Sequence, residues 1–295
     1  MLRELLDSLA TLTRVVHEVI VVDNCSDDDT EKIVRGHDIC PYYIRLEKNI
    51  GAAARNYGLK KASADIVITL DDDITGLDEA AINTIKRIFE SNTGVGAVNF
   101  QIKDYYTGRI CNWPHYKKEE EYADKVFRTC EITEGAVAFR SSAVEKAGYY
   151  AEYFFLSHEG PDLVCRMLDS GYDIIYAGDV SVRHKHESAG RKSWYNYYYD
   201  TRNIFWLAVR NYPVLYAIRY AMRGATVMMI YALRDGYFTY WMKGIFDGLA
   251  GMRKVMRDRR VISDTSLVSI KGLLKDRPDT FYYLKKRIFQ KSARL

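Results

Sequence analysis

Three consecutive carboxylates, Asp71, Asp72 and Asp73, are the residues of this sequence best suited to chemistry. They follow the apolar run Ile66–Leu70, which is typical of a strand buried on both faces. Because packed carboxylates repel one another, they need a cation to compensate them. Mg²⁺ and Mn²⁺ bind such oxygens and hold phosphates in turn. The alternative interpretation is a solvated acidic loop that caps the helix starting near Asp78.

The elements around this cluster predict an α/β fold with a doubly wound, mostly parallel sheet. Strand-like and helical segments alternate through the first two thirds of the chain, and ligands of such sheets bind just outside the carboxyl ends of the strands. Strand signals end near residue 190, and long helical patterns follow. We therefore predict an α/β domain over residues 1–190 and a helical region over residues 191–295. The strand-like segments are 18–23, 43–46, 66–70, 95–100, 132–140, 173–176 and 180–183.

Composition predicts an ordinary globular protein of the cytoplasm. The chain has 295 residues, a net charge of +4 and five scattered cysteines without CxxC spacing. This cysteine usage argues against a disulfide framework or a zinc site and favours a reducing compartment. The amino terminus is charged and helical in pattern, which is unlike a signal peptide. No apolar run approaches the ~20 residues that a transmembrane helix needs.

Three motifs, in their order along the chain, resemble the family 2 glycosyltransferases. Asp23-Asn24 ends one strand, Arg55-Asn56 follows a glycine turn, and Asp71 to Asp73 end the next strand. Two later segments, 154–166 and 202–208, are similar to the carboxyl-terminal half of the same family. The resemblance covers about residues 2 to 212. It implies a GT-A fold, Rossmann-like in its sheet, and transfer of a sugar from a nucleotide-diphosphate sugar, mostly with inversion.

The resemblance also implies the roles of the donor-site residues. Asp23 would contact the nucleobase or ribose, and Asp71 and Asp72 would contact ribose and sugar. Asp73, with Asp71 and His184, would hold Mg²⁺ or Mn²⁺ on the diphosphate. Such an ion neutralises charge on the leaving nucleotide. The implied donor-binding set is Asp23, Asn24, Arg55, Asn56, Asp71 and Asp72.

An inverting transfer needs a general base within hydrogen-bond reach of the acceptor hydroxyl. The family usually carries an Asp directly after the Glu of this motif, whereas this sequence has Gly160. We expect Glu159 to act as the base, with Asp162 as the alternative. Asp162 also lies four residues before Arg166, the spacing of a helix salt bridge, so a structural role is equally compatible.

The beginning of the sequence also differs from the family pattern. The family starts with a central strand before its first helix, whereas the helical pattern here starts at residue 2. This difference and Gly160 favour a second interpretation, a non-catalytic GT-A protein that binds or assembles partners. The intact Asp23 and Asp71 to Asp73 favour the enzyme. A nucleotidyltransferase would share the fold class, but its glycine-rich loop after the first strand is not visible.

The tail combines aromatic and aliphatic helix faces with Arg210, Arg219, Arg223 and Arg234. Such helices suit a bilayer interface, with the cationic groups reaching water. A soluble helical subdomain or a homodimer interface is the alternative. The membrane interpretation would place the protein at the inner face of the cell membrane, with a polysaccharide or lipid-linked acceptor of cell-envelope glycan synthesis. No nucleic-acid-binding motif is present, so we expect no nucleic acid partner.

Overall fold

The strands and helices alternate as predicted through the first part of the chain. The computed structural model describes residues 1–111, 113–185, 193–278 and 282. Its strands are β1 (Ile20–Asp23), β2 (Tyr42–Arg45), β3 (Ile66–Leu70), β4 (Ile74–Thr75), β5 (Val95–Asp104), β6 (Val126–Thr129), β7 (Ala136–Arg140) and β8 (Asp173–His184). Its α-helices are α1 (Leu2–Ala10), α2 (Thr30–Arg35), α3 (Arg55–Lys61), α4 (Glu79–Ser91), α5 (Glu119–Tyr122), α6 (Ser141–Ala147), α7 (Glu159–Asp169), α8 (Tyr195–Asn211), α9 (Val214–Asp235), α10 (Phe238–Ala250), α11 (Met252–Arg257) and α12 (Asp264–Leu273).

The strands form two sheets, and the larger sheet is mixed. β1 and β2 pair in parallel by themselves, and the other sheet has the order β3-β7-β5-β8-β4, with β6 paired to β8. Only the β1–β2 and β5–β8 pairs are parallel among the described strands. The α/β class is confirmed, but "mostly parallel" is corrected to mixed. β7 enters antiparallel between β3 and β5, and an apolar run such as residues 136–139 looks the same in either direction.

One edge of the larger sheet collects the ends of the strands that carry polar residues. β3, β5 and β8 run in the same direction and end there, while the antiparallel β7 begins there. Leu70, the last residue of β3, lies opposite Ala136, the first residue of β7. Asp104 at the end of β5 lies opposite His184 at the end of β8. The residues just beyond β3, just before β7 and at the end of β8 are therefore neighbours.

A cleft of 1870 Å³ runs along this edge and between the two sheets. No described strand lies between β1 and β3, and the facing sides of both strands line the cleft, together with α1. Asp71 to Asp73, Glu134 and Glu159 are among the residues that line it.

Helix α4 begins after Asp78, whose carboxylate accepts the N–H of Ala81 at 2.7 Å. Such a cap is worth about 1 kcal/mol. Its buried face contains Ile82, Ile85 and Phe89, as the spacing predicts. Because Asp78 supplies the cap, Asp71 to Asp73 are not needed for that purpose.

The helical region packs on the same hydrophobic core as the larger sheet. Phe139 of β7, Leu163 of α7 and Leu207 of α8 belong to one buried cluster. Gly244 brings α10 close to α8, because a Cβ there would lie 2.8 Å from the carbonyl oxygen of Tyr198. The predicted boundary near residue 190 falls outside the described residues. Within the described helices, none has both the length and the apolar character to cross a membrane.

Candidate active site

The three carboxylates after β3, which we call the strand-end cluster (Asp71, Asp72 and Asp73), each have a different environment. The guanidinium of Arg55 forms an ion pair with Asp71. Burial alone would lower the pKa of Arg55, but the charge of Asp71 raises it above its ordinary value. The backbone N–H of Asp71 donates to the carbonyl of Gly135 at 2.9 Å, which ties the cluster to the segment before β7.

Asp73 contacts His184, and the family resemblance implies a metal site that these two residues share. The Nε2 of His184 lies 2.9 Å from one carboxylate oxygen of Asp73, and the N–H of Lys185 donates to the Asp73 carbonyl at 2.8 Å. The other oxygen, Oδ1, is buried and has no hydrogen-bond partner among the described residues. Burying an acceptor in this way is costly unless a ligand satisfies it.

Within the cluster, Asp72 is the carboxyl whose ionised form is disfavoured. Burial and the neighbouring charges of Asp73 and Asp71, in that order, raise the pKa of the Asp72 carboxyl. An added cation reverses this effect, because an opposite charge nearby favours the ionised form. The cluster is therefore arranged to gain from a divalent cation.

The residues fit a divalent ion held jointly with phosphates. Asp73 and His184 supply two donors on neighbouring strand ends, and the buried Oδ1 of Asp73 offers a third position. Asp71 faces Arg55, so it is not brought to this pair. In the described part of the chain, no three His, Cys, Asp or Glu side chains converge on one point as metal ligands. Mg²⁺ is commonly bound in this way, by one or two carboxylates plus substrate phosphates.

Asp23 and Asn24 build the turn at the end of β1. The Asp23 carboxylate accepts hydrogen bonds from Tyr43, Arg45 and the N–H of Ser26. Burial alone would raise the pKa of Asp23, but the bonds from Tyr43 and Ser26 and the charge of Arg45 lower it. Asp23 thus lines the cleft as a well-satisfied anion.

Asn24 joins this turn to the glycine turn that precedes Arg55. Its amide nitrogen donates to the carbonyl of Gly51 at 3.1 Å, and its oxygen accepts the N–H of Ile50 at 2.9 Å. Gly51 has φ +67°, and a Cβ there would lie 1.9 Å from the carbonyl oxygen of Phe155. Only glycine permits this approach.

Two sequence-predicted site residues have their side chains engaged elsewhere. The Asn56 amide is buried and exchanges hydrogen bonds of 2.8 and 2.9 Å with the backbone of Tyr150. Asp162 is fully buried, and its carboxylate binds Arg166, Arg210 and Asn211. Neither residue lines the cleft. Asn56 therefore positions the Tyr150 backbone, and Asp162 joins α7 to α8.

Glu159 lies at the first position of α7, behind an unusual loop. Phe155, Ser157 and His158 all have positive φ, at 65°, 70° and 65°, which non-glycine residues rarely adopt. Asn203 of α8 holds the loop by donating to the carbonyls of Leu156 and Ser157, both at 2.7 Å. The loop places Glu159 on the cleft, although the residue exposes only 4% of its surface.

Sequence reasoning did not single out two further acids, Glu131 and Glu134, which line the cleft beside Glu159. We call Glu131, Glu134 and Glu159 the acidic wall. Burial raises the pKa of Glu131 to about 8 and also raises the pKa of Glu134. The available signal was two glutamates within the five residues before the buried run 136–139, at the edge where β3 also ends.

Comparison with known proteins identifies the class of this fold and site. The model of Glycosyl transferase family 2 matches residues 1–148, half of the chain. The chain therefore belongs to this family of glycosyltransferases. It is 23% identical to the O-antigen chain rhamnosyltransferase WbaN of Salmonella anatum over 191 residues, 61% of this chain and 60% of that protein. It is 27% identical to the glycosyltransferase AglE of Haloferax volcanii, over 58% of this chain and 57% of that one.

Solved structures share the fold over most of the chain. The complex of S. aureus TarS 1-349 with UDP-GlcNAc has a TM-score of 0.58 and 18% identity, covering 93% of this chain and 84% of that one. The mannosyltransferase PcManGT of Pyrobaculum calidifontis, in complex with GDP-Man and Mn²⁺, has a TM-score of 0.52 and 18% identity, covering 97% and 83%. The predicted GT-A fold is confirmed.

Proposed function

We propose that this protein is an inverting, metal-dependent glycosyltransferase that uses a nucleotide-diphosphate sugar as donor. The observation that carries the proposal is the Asp73–His184 contact at 2.9 Å, directly beside the Asp71–Arg55 ion pair at the carboxyl edge of the sheet. This edge is where open α/β sheets bind ligands. The family match, and the nucleotide sugars and Mn²⁺ bound in the structures of two similar proteins, support the same function.

The chain's residues would divide the reaction between two sides of the cleft. Asp73 and His184 would hold Mg²⁺ or Mn²⁺, which supplies charge neutralisation for the departing diphosphate. Arg55 holds Asp71 in place for the ribose and sugar, and the Asp23–Asn24 turn shapes the end of the cleft toward the nucleobase. The acidic wall faces the acceptor, and the sequence-based candidate for the general base, Glu159, belongs to it.

Calorimetric titration of UDP and GDP, with and without Mn²⁺, tests the donor site. We expect Mn²⁺-dependent binding that Asp73→Ala weakens about 100-fold or more, since removing a metal-site partner costs at least tenfold to hundredfold in affinity. Asp179→Asn is the matched control, because Asp179 is an exposed aspartate of β8 outside the cleft.

The same titration separates the enzyme from the alternative function, a non-catalytic binding protein. Nucleotide binding without release of nucleoside diphosphate from any sugar nucleotide would favour the binding protein. No nucleotide binding by a folded chain would reject the donor site altogether.

We further propose that the helical region binds an anionic membrane surface and that the acceptor is lipid-linked. The exposed apolar residues lie on one stripe of α9 and one of α10, including Leu215 at 75% and Phe246 at 72% exposure. Residues 214–260 contain nine Lys or Arg and only three Asp. Apolar helix faces rimmed by cations bind the headgroup region of anionic bilayers. The stripes are Val214, Leu215, Ile218, Met222, Ile230 and Leu233 on α9, and Phe238, Met242, Phe246 and Leu249 on α10.

Co-sedimentation with vesicles tests this surface. Binding is expected to vesicles containing phosphatidylglycerol, to be weak with phosphatidylcholine alone, and to fall in the double variant Leu215→Ser with Phe246→Ser. Val126→Ser is the control, because Val126 is 57% exposed on β6, away from the stripes. Concentration-dependent dimerisation without vesicle binding would instead identify the stripes as a homodimer interface.

A further inference from the structure

Glu134 occupies the space next to Gly160 at the start of α7. A Cβ built on Gly160 would lie 1.8 Å from Oε1 of Glu134 and 2.7 Å from its carboxyl carbon. The N–H of Gly160 also hydrogen bonds to this carboxylate. A larger residue at position 160 would therefore displace the Glu134 carboxylate from this position.

The backbone fixes Glu134 opposite the strand-end cluster. Thr133 and Gly135, its neighbours in sequence, are both tied to the sheet. The N–H of Thr133 donates to Asn99 of β5 at 2.9 Å, and the carbonyl of Gly135 accepts the N–H of Asp71 at 2.9 Å. Glu134 thus stands on the sheet edge, one residue from the backbone that contacts Asp71.

We propose that Glu134 is the general base of the transferase, and that its carboxylate occupies the space left by the absent side chain of Gly160. The proposal rests on the function proposed above. The Glu134 carboxylate takes the proton of the acceptor hydroxyl as the acceptor oxygen forms its bond to the anomeric carbon. The bond from that carbon to the diphosphate oxygen breaks, and the nucleoside diphosphate leaves with the electron pair. No other reactant is required.

Burial distinguishes Glu134 from Glu159, which the sequence favours for this role. Glu134 is partly exposed on the cleft, whereas Glu159 exposes only 4% of its surface. A base must reach the acceptor hydroxyl directly or through one water, so the residue with the larger exposed fraction has the better access. Glu159 lies at the helix N-terminus, where the macrodipole stabilises its charge, and it contributes to the raised pKa of Arg55.

The electrostatic setting also suits a base. Burial, the largest effect, raises the pKa of Glu134 against the opposing attraction of Arg55. A carboxylate with a raised pKa is a stronger proton acceptor than an ordinary surface glutamate.

Hydrolysis of sugar nucleotides tests the assignment without a known acceptor, because water then replaces the acceptor hydroxyl. The readout is release of UDP or GDP from a panel of UDP- and GDP-sugars with Mn²⁺. Glu134→Gln is expected to slow release about 100-fold or more, the usual contribution of a general base. Calorimetric binding of UDP or GDP should change less than about twofold, or under 0.5 kcal/mol. Glu152→Gln, on an exposed glutamate outside the cleft, should leave both unchanged.

A positional swap sharpens the test. Glu134→Gly should be as inactive as Glu134→Gln, and adding Gly160→Asp returns a carboxylate to the emptied space. The double variant is expected to recover about tenfold of the lost activity, whereas Gly160→Asp alone should lose activity through the clash with Glu134. A folded, nucleotide-binding double variant that recovers nothing would overturn the proposal.

The remaining outcomes separate the two proposals. An active wild type with a fully active Glu134→Gln overturns the base assignment alone, and a large effect confined to Glu159→Gln moves the role to Glu159. A wild type that releases no nucleoside diphosphate from any donor overturns the proposed function and this assignment with it.

Discussion

Asp71 and Asp73 of the strand-end cluster and Glu131 and Glu134 of the acidic wall carry the same chemical group in different environments. In the strand-end cluster, Asp71 contacts Arg55 and Asp73 contacts His184. In the acidic wall, burial outweighs nearby positive charge, and the pKa values of Glu131 and Glu134 are raised. Both regions line the same cleft.

This difference fits the two tasks that we propose for the cleft. A carboxylate held by cations and hydrogen bonds remains charged and suits the binding of metal and phosphate. A carboxylate whose charge is disfavoured by burial accepts a proton more readily and suits acid–base work. The partner of each acid, more than its residue type, therefore sets its role.

The largest expected effect on stability concerns Asp162, a carboxylate that is paired with cations like Asp71 but lies in the protein interior. Asp162→Asn should lower the free energy of unfolding by about 3–5 kcal/mol, because Arg166 and Arg210 lose a buried counter-charge. Urea denaturation measures the change. Asp169→Asn, at the exposed end of the same helix, should cost only about 1 kcal/mol through its bond to Ser263. Equal effects of the two variants would show that pairing in the interior is not what distinguishes Asp162.

An intermediate effect on the free energy of unfolding is expected from the titration of Glu131. This side chain faces Tyr116, Glu134 and Arg277. The folded protein binds the Glu131 proton up to about pH 8, whereas the unfolded chain releases it near 4.5. The Glu131 contribution to stability is therefore full below pH 4.5 and is lost as the pH rises to 8. The slope is at most about 1.4 kcal/mol per pH unit.

Glu131→Gln removes this titrating group, so its unfolding free energy should fall less steeply between pH 5 and about 8 than that of the wild type. Denaturation at a series of pH values measures the slope. An unchanged slope would place Glu131 with the ordinary surface acids and would weaken the contrast between the acidic wall and the strand-end cluster.

The smallest expected effect tests the hydrogen bonding of Asp23. Tyr43→Phe removes one of its donors and should lower the free energy of unfolding by about 1 kcal/mol. The bonds from Arg45 and Ser26 remain, so the protein should still bind nucleotide. Tyr42→Phe, on the exposed neighbouring side chain, is the control and should change stability by less than about 0.5 kcal/mol. A larger loss in Tyr42→Phe would contradict the assignment of Tyr43.

Local sequence patterns predicted much of the fold, whereas the roles of the donor-site residues stay predictions. The apolar run followed by carboxylates predicted β3 and a polar edge at its carboxyl end. A strand was also predicted just before His184, and in the structure that strand includes His184 as its last residue. These predictions succeed because strand periodicity and strand-end polarity are properties of short segments. The antiparallel direction of β7 was not predicted, since pairing is decided by which strands meet in space.

Long-range partners explain the site residues that the sequence placed differently. Asn56 bonds to Tyr150, which is 94 residues away, and Asp162 pairs with Arg210, which is 48 residues away. Neither partner is adjacent in any local pattern. Glu134 was missed because it looks like the start of a strand, and its role depends on the space left by Gly160.

The sequence by itself determined the α/β class, the family and the strand-end cluster, because these depend on residue order within short motifs. The tertiary structure decided which carboxylates contact a cationic side chain, which are buried without enough positive charge nearby, and which lie in the core. Burial and distance set the charge state of an acid, and both come from segments that are remote in the chain.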